Sequence, residues 1–502
     1  MKKRVALSVV TAMCGISAYC AYRKKINYPF MSEKEIQAFI TTYSQPYEKK
    51  GDIHPENIVL SKQCSLGTNP AHTGINGNIL ILGGSWRERK ELAQANLLQR
   101  NGSYIVMDHL GELFATTGAF FNESGYEVKV LDLTDKANSM HYNPLRYLEE
   151  EPDVRMIARY LLEMHPFVQM DVKAAELVLL EALILYFWKF QPVDKCTFFN
   201  IYNLIGKIKE NPSAMENMFD EVEQEYPEDL CLKRYWHFME LTKDNRPEIL
   251  ADIQKRLSYL DSEEISILTS DDEMDLNQVP DRPTIIYIVT GAKEETSEWI
   301  CGMLVTQMID RLCRIKKSGD LWALKYPIRF LLDNFCQTPI QGFPGRLSSN
   351  RYLLMREASF LLFARNMHEI NDVYHDDLEL LLFACDTVLC YQSALIKSGI
   401  EIARLWGGKC VKISYRKATS YRIVSCFDEN DLQKIGPEQV VIIVRGMKPI
   451  RDAKFRIEDH LDASRLDPTK SKGCACSYAK SVRWQPSAVK PRVTEDRKEG
   501  EF

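Results

Sequence analysis

The sequence is short of several things, and each shortage narrows what it can do. No excess of one charge is present, since 64 Lys and Arg against 69 Asp and Glu leave a net charge of -5 over 502 residues. That excludes the global basic signature of a nucleic-acid-coating protein, so any DNA contact has to be local. Cysteine pairs at metal-ligand spacing are also missing. The 14 cysteines lie scattered among apolar stretches such as Leu380–Cys390, the pattern of small buried side chains in a reducing cytoplasm. The close pair Cys474-Ala-Cys476 falls in a polar tail and reads as incidental exposure. Long uncharged apolar runs are scarce as well. One opens the chain, Val5–Tyr22, fenced by Lys2, Lys3 and Arg4 before it and Arg23, Lys24 and Lys25 after it.

That run reads as a membrane anchor over residues 1–25, at the lower length limit for crossing a hydrocarbon core. A cleaved signal peptide is the alternative, disfavoured because no small-x-small site closes the run and basic residues follow it directly. Two basic flanks leave the orientation open, and the unpaired cysteines place the bulk of the chain in the cytoplasm. With 45% hydrophobic and 26% charged residues, the rest is of globular composition, and 502 residues call for two or three packed units.

Residues 26–75 mix helical and loop composition and read as a linker region. Asn78–Leu82 is then a buried strand ending in Gly83-Gly84, followed by strands at Ser103–Asp108 and Tyr126–Leu131 with helical stretches between them. This alternation over 76–150 predicts a parallel sheet. From about 151 to 275 the texture changes to apolar residues at helical spacing, an all-α domain in which Ala174–Phe190 is a buried helix, too interrupted by Glu176, Glu181 and Lys189 to span a bilayer. Strands return over 276–461, at Thr284–Val289, Ile328–Leu332, Phe360–Phe363, Thr387–Tyr391 and Val440–Val444. Beyond Asp462 the composition turns polar and predicts a flexible tail over 462–502.

A strand, a glycine turn and a helix are the parts of a phosphate cradle, because backbone N–H groups and a helix N-terminus together attract an anion. The pattern expected there is G-x-x-x-x-G-K-[ST]. Here the residues are Gly83-Gly84-Ser85-Trp86-Arg87-Glu88-Arg89-Lys90. Glu88 replaces the second glycine and sets a carboxylate where phosphate charge is repelled. Arg89 replaces the lysine, and Lys90 replaces the hydroxyl that holds magnesium. Starting from Gly84 restores Lys90 as the lysine but leaves Arg89 for glycine and Glu91 for the hydroxyl. Downstream, Arg329–Asp333 is an apolar strand ending in an acid, the arrangement that presents a carboxylate to a magnesium-bound water. The position next to it, where a catalytic base belongs, holds Asn334, whose amide accepts no proton at neutral pH.

Over roughly residues 75–460 the chain resembles the TraG-like coupling proteins of type IV secretion, RecA-like motors that bring DNA to a conjugation channel. The resemblance is carried by Asn78–Ser85, by Asn101–Val106 with Asp108 and Gly111-Glu112-Leu113, and by Gly125–Leu131. It continues with His141-Tyr142-Asn143-Pro144 and Arg146-Tyr147-Leu148, then Leu268-Thr269-Ser270 with Asp272-Glu273-Met274, and Phe330–Asp333. Arg356-Glu357-Ala358-Ser359 and Arg445-Gly446 with Pro449 and Lys454-Phe455 complete the order. The family usually reads G-G-S-G-S-G-K-T where this chain has Gly83 to Lys90, and L-L-D-E-F where it has Leu331–Phe335. It carries a glutamine-rich strand end where this chain has Leu362-Phe363-Ala364-Arg365. Asp333 and Arg356 match, while the lysine, hydroxyl, glycine, catalytic acid and sensing glutamine are replaced.

The resemblance implies an α/β fold: a RecA-like, P-loop-type twisted sheet interrupted by the all-α domain and preceded by one transmembrane helix. It implies membership of a conjugative DNA-transfer apparatus. The departures imply a non-hydrolysing paralogue, with Gly83, Gly84, Ser85, Glu88, Arg89 and Lys90 as remnants of the nucleotide site and Asp333, Asn334 and Arg356 as remnants of the catalytic one. No cofactor or metal is then expected, and ATP with magnesium only if the site works after all. The implied partners are type IV secretion proteins, an intact coupling protein or the relaxosome, with DNA, the membrane, and a homo- or hetero-oligomer open. An active DNA-translocating ATPase with an unusual site and a membrane scaffold reusing the fold are the competing readings.

Overall fold

The computed structural model describes residues 30–46, 54–163, 173–291, 298–315, 324–338, 340–349, 353, 355, 357–394, 408–415, 418–425, 435–467 and 469. The expected anchor at 1–25, Arg356, Cys474 and Cys476 lie outside the described residues. Among the described residues no helix is long and apolar enough to cross a membrane.

Thirteen strands are described: β1 (Asn57–Val59), β2 (Ser65–Gly67), β3 (Ile79–Leu82), β4 (Ser103–Asp108), β5 (Glu127–Asp132), β6 (Thr284–Val289), β7 (Ile328–Asp333), β8 (Ser359–Ala364), β9 (Thr387–Tyr391), β10 (Gly408–Tyr415), β11 (Ala418–Ser425), β12 (Gln439–Val444) and β13 (Ile450–Ala453). They distribute between two compact units. The first takes Met1–Gly102, Pro327–Cys336 and Pro344–Arg465, and the second takes Ser103–Tyr326, Gln337–Phe343 and Leu466–Phe502.

In the first unit, β3 is paired in parallel with β8 on one side and β9 on the other, and β8 continues in parallel to β7. All four residues of β3 and all six of β8 are buried, so these strands are continuously apolar, as expected of a sheet covered on both faces. Phe330 of β7 stacks on Phe360 of β8 with ring centroids 4.4 Å apart, a cross-strand pair that helps fix the register. Beyond β9 the sheet turns antiparallel, β9 to β12 to β13. The parallel pattern expected from the sequence therefore holds for the central strands and yields where a short connection from Val444 to Ile450 permits a hairpin.

The linker region forms more structure than its composition suggested. A helix over Glu33–Tyr43, capped by Ser32 and Glu35, precedes the β1–β2 hairpin. Asn96 anchors that hairpin by accepting the Val59 N–H at 2.8 Å and donating to the Val59 carbonyl at 3.1 Å. Residues at the start of the expected tail are also folded: Ala463–Arg465 make a 3-10 turn, and Asp462 pairs with Arg100 at 3.2 Å.

The second unit holds the parallel trio β4, β6 and β5, with β6 in the middle and fully buried. Between β5 and β6 there are helices at Glu151–Glu163, Ala174–Phe190, Phe198–Glu210, Ser213–Glu225, Leu230–Leu241, Arg246–Arg256 and Glu263–Leu268. Ala174–Phe190 is buried along most of its length, and its two acids are answered by arginines: Glu176 by Arg256 at 3.3 Å and Glu181 by Arg234 at 2.7 Å. A charge taken from water needs such a partner, which explains how two carboxylates sit in this helix.

Several of the family-like motifs in this unit prove to be a clasp. The Tyr142 N–H donates to the Leu268 carbonyl, His141 and Glu273 exchange bonds at 2.7 and 2.9 Å, and the Asn143 amide donates to the Cys196 carbonyl at 3.0 Å. Tyr147 donates its hydroxyl proton to Asp272. Burial raises the pKa of Asp272, partly offset by that bond. These residues tie the exit of β5 to the end of the helical segment.

Candidate functional site: a glycine turn closed by its own helix

The site lies in the first unit, at the carboxyl ends of β3, β7, β8 and β9. In open α/β sheets this edge is where ligands bind. The chain leaves β3 through Gly83 and Gly84, both with positive φ (79° and 81°), a conformation that side chains with a Cβ rarely adopt. Space is also short there. A Cβ on Gly83 would come within 2.7 Å of Ser393 Oγ and 2.8 Å of Ala394, and one on Gly84 within 3.0 Å of the Tyr391 ring.

The helix Trp86–Leu98 follows, with Ser85 as its N-cap. Its first turn carries the N–H groups that a phosphate would use. In this chain the Ser85–Glu88 pair answers two of the N–H groups at the helix start. The Glu88 carboxylate accepts the Ser85 N–H at 2.6 Å, while the Glu88 N–H donates to Ser85 Oγ at 3.4 Å, a reciprocal capping box. The Gly84 N–H donates to Ser393 Oγ at 2.9 Å. Lys454 binds the other oxygen of Glu88 and sits over the Tyr391 ring, 5.5 Å from its centroid. Burial pushes the Glu88 carboxyl up, but Lys454 and the Ser85 N–H and hydroxyl outweigh it, and its pKa ends below the ordinary value.

Arg89 is buried and points across the sheet edge. Its Nε donates to Asp333 Oδ1 at 3.1 Å, and its terminal nitrogens reach the Gly84 carbonyl and Asn334 Oδ1, each at 3.4 Å. The strand-end acid thus lies in an ion pair. Asn334 has φ of 53°, the left-handed region in which Asn is favoured over most side chains. Lys90 lies over the Trp86 ring at 5.6 Å, and Trp86 itself is 56% exposed. Arg365, at the end of β8, holds Glu369 through both its guanidinium and its backbone N–H.

Of the residues singled out in the sequence, Gly83, Gly84, Ser85, Glu88, Arg89, Asp333 and Asn334 are therefore brought together. Lys90 is turned to the exposed tryptophan. Three participants were missed: Tyr391, Ser393 and Lys454. Ser393 is 309 positions from Gly84 and Lys454 is 366 from Glu88, so no local pattern joins them.

Chemically the arrangement is self-satisfied. The Glu88 carboxylate caps the helix N-terminus, Lys454 serves that carboxylate, and Asp333 serves Arg89. A nucleotide phosphate at this helix start would meet the Glu88 carboxylate, and Asp333 is already paired with Arg89. Among the described residues no group of His, Cys, Asp and Glu could hold a metal ion.

Among solved structures, the fold is similar to the unbound bacterial conjugative coupling protein TrwBdeltaN70, with a TM-score of 0.57 and 10% identity over 85% of this chain and 92% of that one. It is equally similar to the plasmid coupling protein TrwB in complex with the non-hydrolysable ATP analogue ADPNP, at 0.57 and 11% identity over 85% of this chain and 93% of that one. VirB4 of Thermoanaerobacter pseudethanolicus aligns with a TM-score of 0.51 and 12% identity over 82% of this chain and 100% of that one. Identities this low carry the fold, a RecA-like α/β fold with a mixed sheet, and nothing finer. No curated protein sequence matches. A family model described as type IV secretory system conjugative DNA transfer matches residues 92–338, from just past Lys90 to just past Asn334. That match and the coupling-protein-like fold support the TraG-like resemblance carried by the order of the motifs.

Proposed function

We propose that this chain is a non-hydrolysing, membrane-anchored member of a conjugative DNA-transfer apparatus, which docks with or regulates an intact coupling protein or its relaxosome cargo. The observation that carries the reading is the capping of Ser85 by the Glu88 carboxylate, with Arg89 paired to Asp333. Phosphoryl transfer is mainly positioned charge, and each lost electrostatic element typically costs about 2–4 kcal/mol of transition-state stabilisation. Here the lysine, the hydroxyl and the base are replaced together, and the remaining acid is engaged. The TrwB structures hold nucleotides, so the fold accommodates them where the loop chemistry is suitable.

The test is magnesium-dependent ATP turnover by the purified chain beside its Asp333→Ala variant. The reading expects background rates for both. Turnover by the parent that disappears in Asp333→Ala would establish the active-ATPase reading instead. For the anchor at residues 1–25, the full-length protein should stay with membranes through high-salt and carbonate washing, and release would refute it.

A further inference from the structure

The helix Ser213–Glu225 turns one apolar stripe, Met215, Phe219 and Val222, into the all-α segment. Glu216, Asp220, Glu221, Glu223 and Glu225 lie exposed on the rest of its surface, and the helix contains no Lys or Arg. Of these acids Glu216 is approached by Arg246 at 4.0 Å, while Asp220, Glu221, Glu223 and Glu225 pair with no cation among the described residues. The lysines close by are taken, Lys189 by Asp229 at 2.6 Å and Lys233 by Glu228 at 3.4 Å. Asp220 with Glu223 and Glu221 with Glu225 are like-charge neighbours one helical turn apart, which weakens the helix until a cation answers them.

The face is flanked by aromatic rings held from below. Phe219 of this helix stacks on Tyr235 with centroids 4.1 Å apart, and Tyr235 touches Trp236 at 4.9 Å. On the other side Phe219 meets Tyr186 at 6.1 Å, Tyr186 meets Phe190 at 6.2 Å, and Phe190 meets Tyr226 at 5.3 Å. The two ends of this ladder, Trp236 at 47% and Tyr226 at 48%, are exposed. Burial, then Glu216 and Asp220, push the Tyr235 phenol up to about 12, which sets those carboxylates beside the Trp236 end. Carboxylates next to fixed aromatic rings select Lys and Arg, by ion pairing and by cation–π contact. Exposed ion pairs are individually weak, so such a face holds a segment that is multivalent or tethered.

The chain carries such a segment at its C-terminal end. Residues 466–502 contain eight Lys and Arg against five Asp and Glu, a net +3, so the rest of the chain carries -5 minus 3, or -8. Apart from Asp467 the acids begin at Glu495, and ahead of them come Lys470, Lys472, Lys480, Arg483, Lys490 and Arg492, with Tyr478 and Trp484 among them. After Thr469, 502 minus 469 or 33 residues remain, which extend at most about 110 Å, so reach does not limit the contact. We propose that residues 470–492 dock on the outer face of the Ser213–Glu225 helix, their cations on Asp220, Glu221, Glu223 and Glu225 and against the Trp236 and Tyr226 rings. The docking is independent of the nucleotide-site reading, because no residue of the Gly83 turn takes part.

The experiment follows tryptic cleavage of the complete chain after Lys480 and Arg483 by mass spectrometry, at two protein concentrations. A tethered segment has an effective concentration in the millimolar range, so an intrinsic dissociation constant of about 0.1 mM gives roughly tenfold protection of these bonds. D220N/E221Q/E223Q/E225Q changes exposed side chains only and should cleave about tenfold faster than the parent, as should K472E/K490E/R492E. Combining K472E/K490E/R492E with D220K/E221K/E223K should restore slow cleavage, which damage to the helix could not do. D376N/D377N/E379Q, at another exposed acidic turn, should cleave as the parent does. The proposal is overturned if the parent and D220N/E221Q/E223Q/E225Q cleave at one rate, if the charge-swapped chain stays fast, or if D376N/D377N/E379Q is equally fast. It is also overturned if protection grows with protein concentration, since the segment then docks on a second copy.

Discussion

The carboxylate of Glu88 accepts the backbone N–H of Ser85 at 2.6 Å while Lys454 holds its second oxygen, so a residue that departs from the glycine pattern of an anion cradle serves as a helix cap. The relationship makes separable claims about stability and about ligand binding.

Glu88→Gln keeps the capping geometry, since a glutamine oxygen can still accept the Ser85 N–H, and removes only the charge facing Lys454. The expected loss is about 1 kcal/mol, and Glu88→Ala, which removes the cap as well, should lose about 1 kcal/mol more. Denaturant unfolding of both variants checks the order. Equal effects would mean that the cap contributes nothing.

The charge component also has a pH signature. Because the folded pKa of Glu88 is lowered from 4.5, its contribution is fully present above that value and is lost as pH falls through the folded pKa. The stability gap between parent and Glu88→Gln should therefore be constant near neutrality and shrink below pH 4.5. A gap that widened on acidification would contradict the assigned direction.

Gly83 and Gly446 have almost the same φ, 79° and 78°, but only Gly83 is crowded, with Ser393 and Ala394 where a Cβ would go; nothing lies within 4 Å at Gly446. Gly446→Ala should cost about 1 kcal/mol from backbone strain alone. Gly83→Ala should cost at least about 1 kcal/mol more, because strain and overpacking add. Thermal unfolding of the two variants decides whether the packing against the segment after β9 is as tight as described.

Arg89 and Asp333 stand 244 positions apart and form a partly buried pair. Arg89→Ala should destabilise by roughly 2 kcal/mol, Asp333→Ala by less, and the double variant by less than the sum, because removing both partners leaves no uncompensated charge. Strict additivity in a double-mutant cycle would show that the pair does not interact.

Much of this was legible in the sequence, and what was hidden has a common physical cause. Strands such as Thr284–Val289 and Thr387–Tyr391 were delimited correctly because a buried parallel strand is a continuous apolar run with turn residues at its ends. The buried helix Ala174–Phe190 was evident for a similar reason, its apolar residues leaving little polar face. At the site, the sequence revealed which residues depart from a working phosphate cradle but not what they do instead. Glu88 capping Ser85 is readable in principle, since Ser followed three residues later by Glu is a capping box, although the same residue is also a departure from the glycine pattern. Arg89 on Asp333, Ser393 on Gly84 and Lys454 on Glu88 were not readable, because each joins segments hundreds of positions apart. The β1–β2 hairpin escaped for a different reason, its three-residue strands being too short to show a period.

Nucleotide binding decides whether the chain fills its own anion site. The measurement is the thermal stability of the purified chain with and without millimolar Mg-ATP, beside the variant Trp86→Gly, Glu88→Gly, Arg89→Lys, Lys90→Thr, which removes the internal carboxylate and restores the cradle. A ligand at about a hundredfold excess over its dissociation constant adds about 2.7 kcal/mol to folding stability. The parent should show no shift, and the repaired variant should show one while still failing to turn ATP over, because Asn334 supplies no base. A clear shift in the parent, or a folded repaired variant with none, would contradict the claim.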